Sequence, residues 1–104
     1  MTTLAEVQKE VTRQVVRDYG ELVTVPLRTN LALGLAEEAG EVAGLMKRVL
    51  RNFPKDRVRT TKENFIDEMG DVLWYLTACC AVQGTCLDEI WEHNINKLKE
   101  RYGE

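Results

Sequence analysis

The chain has 104 residues, of which 44% are hydrophobic and 30% are charged, and its formal net charge at pH 7 is −3. This composition is typical of a folded globular protein, and the interspersed charges exclude a general nucleic-acid binder and a membrane-surface binder. No stretch approaches the roughly 20 apolar residues that span a bilayer, and no signal-type apolar run follows Met1, so we expect a cytoplasmic protein without a membrane partner.

Four stretches of the chain carry apolar residues at the three- and four-residue spacing of amphipathic helices. They predict helices over Thr3–Tyr19, Thr29–Arg51, Lys62–Val82 and Leu87–Tyr102. The predicted fold is therefore an all-α four-helix bundle, organised as a single domain over residues 1–104. Because a domain of this size buries only about two-thirds of its surface, we expect the bundle to be completed by oligomerisation.

Capping residues and breakers predict where these helices begin and end. Threonines precede three of them and are candidate N-caps: Thr2 or Thr3, Thr60 or Thr61, and Thr85. Gly20 is expected to end the first helix. The segment Glu21 to Pro26 contains β-branched residues and a proline, so it is expected to be a connector, with the second helix starting after it.

Acidic residues interrupt the second and third predicted helices. Glu37, Glu38 and Glu41 lie close together on the second helix, and Glu68 and Asp71 lie three apart on the third. Like charges at this spacing share a helix face and destabilise it by about a few tenths of a kcal/mol per pair. Antiparallel packing of the two helices would gather these carboxylates around one point, which suits a hard divalent cation. We predict magnesium, because it keeps several waters and often binds substrate phosphates.

Glycines occur in the same two helices. Gly40 and Gly44 lie beside the first acidic block and Gly70 lies within the second. Each glycine in a helix interior is about 1 kcal/mol less favourable than alanine. We therefore expect a close helix crossing at these three positions.

The two acidic blocks resemble those of the MazG-like nucleotide pyrophosphohydrolases. The pattern Glu-Glu-x-x-Glu at residues 37–41 is followed on the next helix by Glu-x-x-Asp at residues 68–71. Residues 33–42 and 67–76 are similar to the central blocks of that family, and the stretch from Asn94 to Tyr102 is similar to its closing helix. The resemblance covers roughly residues 27–102.

The resemblance implies a helical bundle that forms a homodimer or homotetramer. Its implied activity is Mg²⁺-dependent hydrolysis of (deoxy)nucleoside triphosphates to the monophosphate and pyrophosphate, in house-cleaning or pool control. It implies metal ligands at Glu38, Glu41, Glu68 and Asp71. For Glu37 it implies either metal binding or help in activating water, so Glu37 and Glu38 are the candidate catalytic carboxylates and the choice between them stays open.

Cationic and amide side chains are needed to bind a triphosphate. The resemblance places Asn94 and Lys97 of the closing helix near the nucleotide. Arg101 lies four residues after Lys97, on the same helix face, and Lys47 follows the first acidic block. These four residues are the candidate substrate-binding residues.

Two alternatives remain open at this point. A non-catalytic regulatory module could keep the acidic residues to bind metal or nucleotide without turnover. An enzyme like phosphoribosyl-ATP pyrophosphatase would share the acidic pattern, but such enzymes tend to carry a histidine after the second block, where residues 72–76 contain none.

Overall fold

The computed structural model describes residues 1–52 and 62–103, and these residues form four α-helices. The helices are α1 (Leu4–Tyr19), α2 (Val25–Asn52), α3 (Lys62–Val82) and α4 (Leu87–Tyr102). The described residues contain no strand, so the predicted all-α class is confirmed, as are both ends of α3 and α4. No helix in these two ranges combines the length and the apolarity needed to cross a membrane. The predicted caps Thr60 and Thr61 lie outside the described residues.

Both ends of α1 follow the prediction. The Thr3 hydroxyl accepts a hydrogen bond from the Glu6 backbone N–H at 3.1 Å, and the Glu6 carboxylate accepts one from the Thr3 N–H at 3.1 Å. This reciprocal capping box satisfies two N–H groups that have no partner within the helix. The helix ends at Gly20, whose φ of +83° is a backbone conformation that side-chain-bearing residues rarely adopt.

The start of α2 differs from the prediction. The helix begins at Val25, not at Thr29, so the connector after α1 is shorter than expected. The Thr24 hydroxyl accepts a hydrogen bond from the Leu27 N–H at 3.1 Å and caps the first turn. Pro26 therefore lies inside that turn. Backbone N–H groups in the first turn have no acceptor within the helix, so the missing N–H of proline removes no helical hydrogen bond.

The start of α4 also corrects a prediction. Thr85 is not its cap, because its hydroxyl donates to the Glu89 carboxylate at 2.7 Å. The N-cap is Cys86, whose side chain makes no capping hydrogen bond. The Leu87 N–H instead donates to the Gln8 side-chain oxygen of α1 at 3.0 Å. Gln8, which is distant in sequence, therefore supplies the hydrogen-bond acceptor that was expected from Thr85.

The core lies between α1, the start of α2 and the end of α3. Its buried side chains are Val11, Val15, Leu31, Ala78 and Val82. The most extensive helix contact joins α2 to α3; α1 packs on α3, and α4 packs mainly against α1. The acidic blocks of α2 and α3 lie further along the α2–α3 pair, away from this core.

An apolar surface remains exposed on α3. Phe65, Met69 and Leu73 are each 41% exposed and Leu76 is 36% exposed. We call these four residues the α3 apolar stripe. Trp91 of α4 is 57% exposed and lines an apolar groove of about 230 Å³ together with Leu73 and Leu76. The stripe has the helical spacing predicted from the sequence, and none of the residues that the structure describes covers it fully.

Candidate metal centre

Three carboxylates from two helices meet at one point. Glu38 of α2 and Glu68 and Asp71 of α3 each offer an oxygen atom, and these atoms lie within 4.8 Å of one another. Glu68 and Asp71 are three residues apart and so share one face of α3. We call these three residues the carboxylate triangle. The structure therefore brings together three of the four predicted metal ligands.

The remaining acids of the first block lie beside the triangle. Glu37 and Glu41 are exposed on α2 and are not among the three residues whose oxygens converge. Their charges nevertheless act on Glu38, whose carboxyl pKa they help to raise. A role for Glu41 as a ligand, and for Glu37 as a catalytic acid, stays a prediction.

The electrostatics of the triangle favour a bound cation. Burial raises the pKa of the half-buried Glu38 above its usual value, and the negative charges of Asp71, Glu41, Glu37 and Glu68 raise it further. Across residues 1–52 and 62–103, no ion pair joins any of these acids to a basic side chain; the ion pairs there join residues 10 and 13 and residues 17 and 18. Within the described residues, the repulsion among these acids is therefore not offset by a basic side chain.

The donor set fits a hard divalent cation. Carboxylate oxygens are the ligands that Mg²⁺ prefers, at about 2.0–2.1 Å, so oxygens on opposite sides of one ion lie about 4.2 Å apart. Because the triangle spans no more than 4.8 Å, small side-chain rotations would allow all three oxygens to reach one ion. Two of the residues are half-buried and Asp71 is exposed, which leaves one side open to water or phosphate.

α2 and α3 approach closely at Gly34, four residues before Glu38. The ring of Tyr75, four residues after Asp71, lies over it: a Cβ at Gly34 would lie 2.6 Å from Tyr75 Cδ1 and 2.8 Å from Cζ. We call this the Gly34–Tyr75 contact. Because a higher residue number on α2 faces a lower one on α3, the two helices are antiparallel, as predicted.

The prediction of a close crossing at the other three glycines is wrong. A Cβ at Gly40 or Gly70 would meet no described atom within 4 Å. At Gly44 it would meet only the flexible end of Arg48, at 3.6 Å. The space around these glycines is therefore open to a side chain, unlike that around Gly34. Gly34 and Tyr75 were not predicted to make this contact, although each lies one helical turn from a predicted ligand.

The candidate substrate-binding residues are only partly brought together. Asn94 and Lys97 line a cavity of about 360 Å³ on α4, together with His93 and Glu89. Arg101 is exposed and is not part of that lining. On α2, Lys47 is exposed and belongs neither to the cavity lining nor to the triangle. The roles of these residues remain predictions.

Comparisons with known proteins identify the family of the chain. The family model of the MazG nucleotide pyrophosphohydrolase domain matches residues 28–104, which include both acidic blocks but not α1. The Gene 37 protein of Mycobacterium phage L5 is 39% identical over 74 residues, which cover 68% of this chain and 62% of that protein. The matched part is thus less than two-thirds of that relative's length, and no solved structure matches the chain. The chain therefore belongs to the MazG nucleotide pyrophosphohydrolase family.

Proposed function

We propose that the chain hydrolyses nucleoside or deoxynucleoside triphosphates to the monophosphate and pyrophosphate, with Mg²⁺ as cofactor. The observation that carries this proposal is the carboxylate triangle, which lacks a basic partner within the described residues of a MazG-family chain. House-cleaning of the nucleotide pool, or its control, in the cytoplasm is the physiological role that we propose for this reaction.

The metal would be held by Glu38, Glu68 and Asp71, with Glu41 as a fourth ligand from the next turn of α2. When bound, Mg²⁺ supplies positive charge for the phosphate oxygens and lowers the pKa of coordinated water. Without a cation, five carboxylates would repel a triphosphate, so substrate binding should depend on metal. Loss of any ligand of the triangle should therefore impair both metal binding and turnover.

Two carboxylates are candidates for handling the proton of the attacking water. We propose Glu37 as the base, with Glu38 as the alternative. Glu37 is exposed and next to Glu38 in sequence, but it is not one of the three residues of the carboxylate triangle. The water oxygen attacks the α-phosphorus, the bond to the bridging anhydride oxygen breaks, and that oxygen leaves with pyrophosphate. The water proton passes to the carboxylate, so no covalent intermediate is needed.

The nucleotide needs further contacts. We propose that Asn94 and Lys97 bind it, because they share a cavity on α4, and that Lys47 and Arg101 add positive charge for the phosphates. The exposed α3 apolar stripe supports self-association as a homodimer or homotetramer. The packing of α1 on α3 supports one domain that extends beyond the family match to include α1. Sedimentation of the full chain will give its oligomeric state.

The test of the reaction is product analysis. The purified chain is incubated with a panel of nucleoside triphosphates and with phosphoribosyl-ATP, once with Mg²⁺ and once with a chelator. We expect Mg²⁺-dependent release of monophosphate and pyrophosphate. Glu63→Gln, an exposed acidic position on α3 outside the triangle, is a matched control that should keep wild-type turnover.

Other outcomes distinguish the alternatives. Turnover of phosphoribosyl-ATP alone would identify an enzyme of that type. Nucleotide or metal binding without release of pyrophosphate would support a regulatory module and contradict the proposed reaction. Release of orthophosphate in place of pyrophosphate would contradict the proposed position of bond cleavage.

A further inference from the structure

The Gly34–Tyr75 contact lies one helical turn from the carboxylate triangle on both helices. Gly34 precedes Glu38 by four residues on α2, and Tyr75 follows Asp71 by four residues on α3. Residues four apart lie on the same face of a helix, about 6 Å apart along its axis. The contact and the triangle are therefore consecutive levels of the same antiparallel helix pair.

The Tyr75 ring makes further contacts besides the one with Gly34. It meets the Trp74 ring edge to face, with centroids 5.1 Å apart and an interplanar angle of 78°. The Trp74 indole N–H donates to the Gln14 side-chain oxygen of α1 at 2.7 Å. Both aromatic side chains also pack against the buried core. The ring therefore cannot easily move aside if the space at Gly34 is filled.

The charges of the site also reach Tyr75. Burial is the main cause of the raised pKa of the Tyr75 phenol, and the carboxylates of Glu38, Glu37 and Asp71 raise it further. The phenol thus lies within electrostatic range of two members of the carboxylate triangle. This supports the proximity that the helix geometry already gives.

We propose that Tyr75 is a positioning residue for the metal centre. Its ring, seated on Gly34, sets the separation of α2 and α3 one turn from the carboxylate triangle. That separation decides whether the Glu38 oxygen lies close enough to those of Glu68 and Asp71 to share one cation. This inference rests on the proposed function, because it assumes that the triangle binds a divalent metal.

The separation of α2 and α3 near the carboxylate triangle depends on charge repulsion and on packing at the Gly34–Tyr75 contact. Mutual repulsion of the carboxylates tends to push α2 and α3 apart before metal binds. A methyl group at Gly34 would push them further apart, because it would overlap the fixed Tyr75 ring. Removal of the ring would leave a void at the contact, so that the separation is no longer defined. Either change displaces Glu38 relative to α3.

The experiment measures binding of Mn²⁺ alone to the metal-free full-length chain, by titration calorimetry or electron paramagnetic resonance. Gly34→Ala and Tyr75→Ala should each weaken the affinity by about tenfold or more, as loss of supporting contacts around a metal typically does. Tyr75→Phe keeps the ring and should keep the wild-type affinity. Gly44→Ala makes the same helix substitution where there is space, and should also keep it.

A double variant tests the contact itself. In Gly34→Ala/Tyr75→Ala, the added methyl no longer meets a ring, so the two effects on Mn²⁺ affinity should not add. The double variant should bind no more weakly than Tyr75→Ala alone. Circular dichroism of each variant shows whether the helices are intact. If Gly34→Ala fails to fold, the contrast between Tyr75→Ala and Tyr75→Phe still decides the proposal.

Several results would overturn the inference. Wild-type Mn²⁺ affinity in folded Gly34→Ala or in Tyr75→Ala would show that the contact does not position the site. Equal losses in Tyr75→Phe and Tyr75→Ala would assign the effect to the hydroxyl group and not to the ring. If the wild-type chain turns over substrate but these variants bind metal normally, only this inference fails. If the wild type binds no metal, the proposed function fails with it.

Discussion

The α2–α3 pair has a core end, which packs against α1, and an acidic end, which carries the carboxylate triangle. The two ends differ in whether their polar side chains have partners. At the core end, polar side chains have partners: Gln8 joins α1 to α3 and α4, and Gln14 accepts the Trp74 N–H. At the other end, Glu38 and its acidic neighbours have no basic partner within residues 1–52 and 62–103. Among the described residues, the polar groups of the core end are paired, whereas the charges of the acidic end are not, and a bound cation would offset them. Stability and function are thus divided along the same two helices.

The largest expected effect comes from substitutions that alter only the acidic end. Glu38→Ala or Asp71→Ala should reduce turnover by about 100-fold or more, because each removes an oxygen from the carboxylate triangle. The melting temperature of the metal-free chain should not fall, since repulsion among the acids decreases. Steady-state kinetics and thermal melts in chelator check the two halves of this prediction. Wild-type turnover in both variants would contradict the site assignment.

The next effect breaks the core end alone. The Gln8 amide donates to the Thr77 carbonyl at 3.4 Å and its oxygen accepts from the Leu87 N–H at 3.0 Å. Gln8→Ala leaves the part-buried Leu87 N–H without this acceptor, which should lower the free energy of unfolding by about 1–3 kcal/mol. Urea denaturation measures the change, with the exposed Gln83→Ala as control. An unchanged midpoint for Gln8→Ala would show that water replaces the side chain at no cost.

Local signals in the sequence are enough to predict much of this division. Helical periodicity predicts both ends of α3 and α4, because an apolar spacing of three and four needs no knowledge of the rest of the fold. The same holds for the acidic face, since residues three apart must share it. The convergence of Glu38, Glu68 and Asp71 needed only the further assumption of antiparallel packing.

The features missed from the sequence depend on where two distant segments meet. Gln8 takes the place of the expected Thr85 cap because α1 happens to lie at the start of α4. The Gly34–Tyr75 contact depends on the register between α2 and α3, which the spacing of acids within each helix does not give. The sequence alone does not distinguish Gly34 from Gly40, Gly44 and Gly70 as the site of a close contact. Only the register between α2 and α3 does so.

A smaller effect should appear in the pH dependence of the metal-free chain. The folded-state pKa of Glu38 is raised above its usual value of 4.5, so in that range the native state holds more protons than the unfolded state. Stability should therefore fall as pH rises from about 4.5 through the folded-state pKa. Denaturant midpoints measured in chelator should show this slope for the wild type and a shallower slope for Glu38→Gln. Equal slopes would contradict it.

The smallest effect comes from a carboxylate at the core end, and it has the opposite sign. The hydrogen bond from the Arg13 side chain, and then that from Gln14, lower the pKa of Glu10 from 4.5 to about 2. This contribution to stability is present above about pH 4.5 and is lost as pH falls towards 2. Because Glu10 and Arg13 are exposed, salt should screen most of it.

Glu10→Gln, measured at low and at high salt, tests whether Glu10 and Glu38 have these opposite effects on the pH dependence of stability. At low salt it should reduce the loss of stability between pH 4.5 and 2, whereas at high salt it should resemble the wild type. Glu38→Gln should change the slope above pH 4.5 at either salt concentration, because its shift comes first from burial, which salt does not screen. If the two variants respond to salt alike, then the acidic end is no better shielded from solvent than the surface of α1. The two ends would then differ only in how many charged side chains they carry.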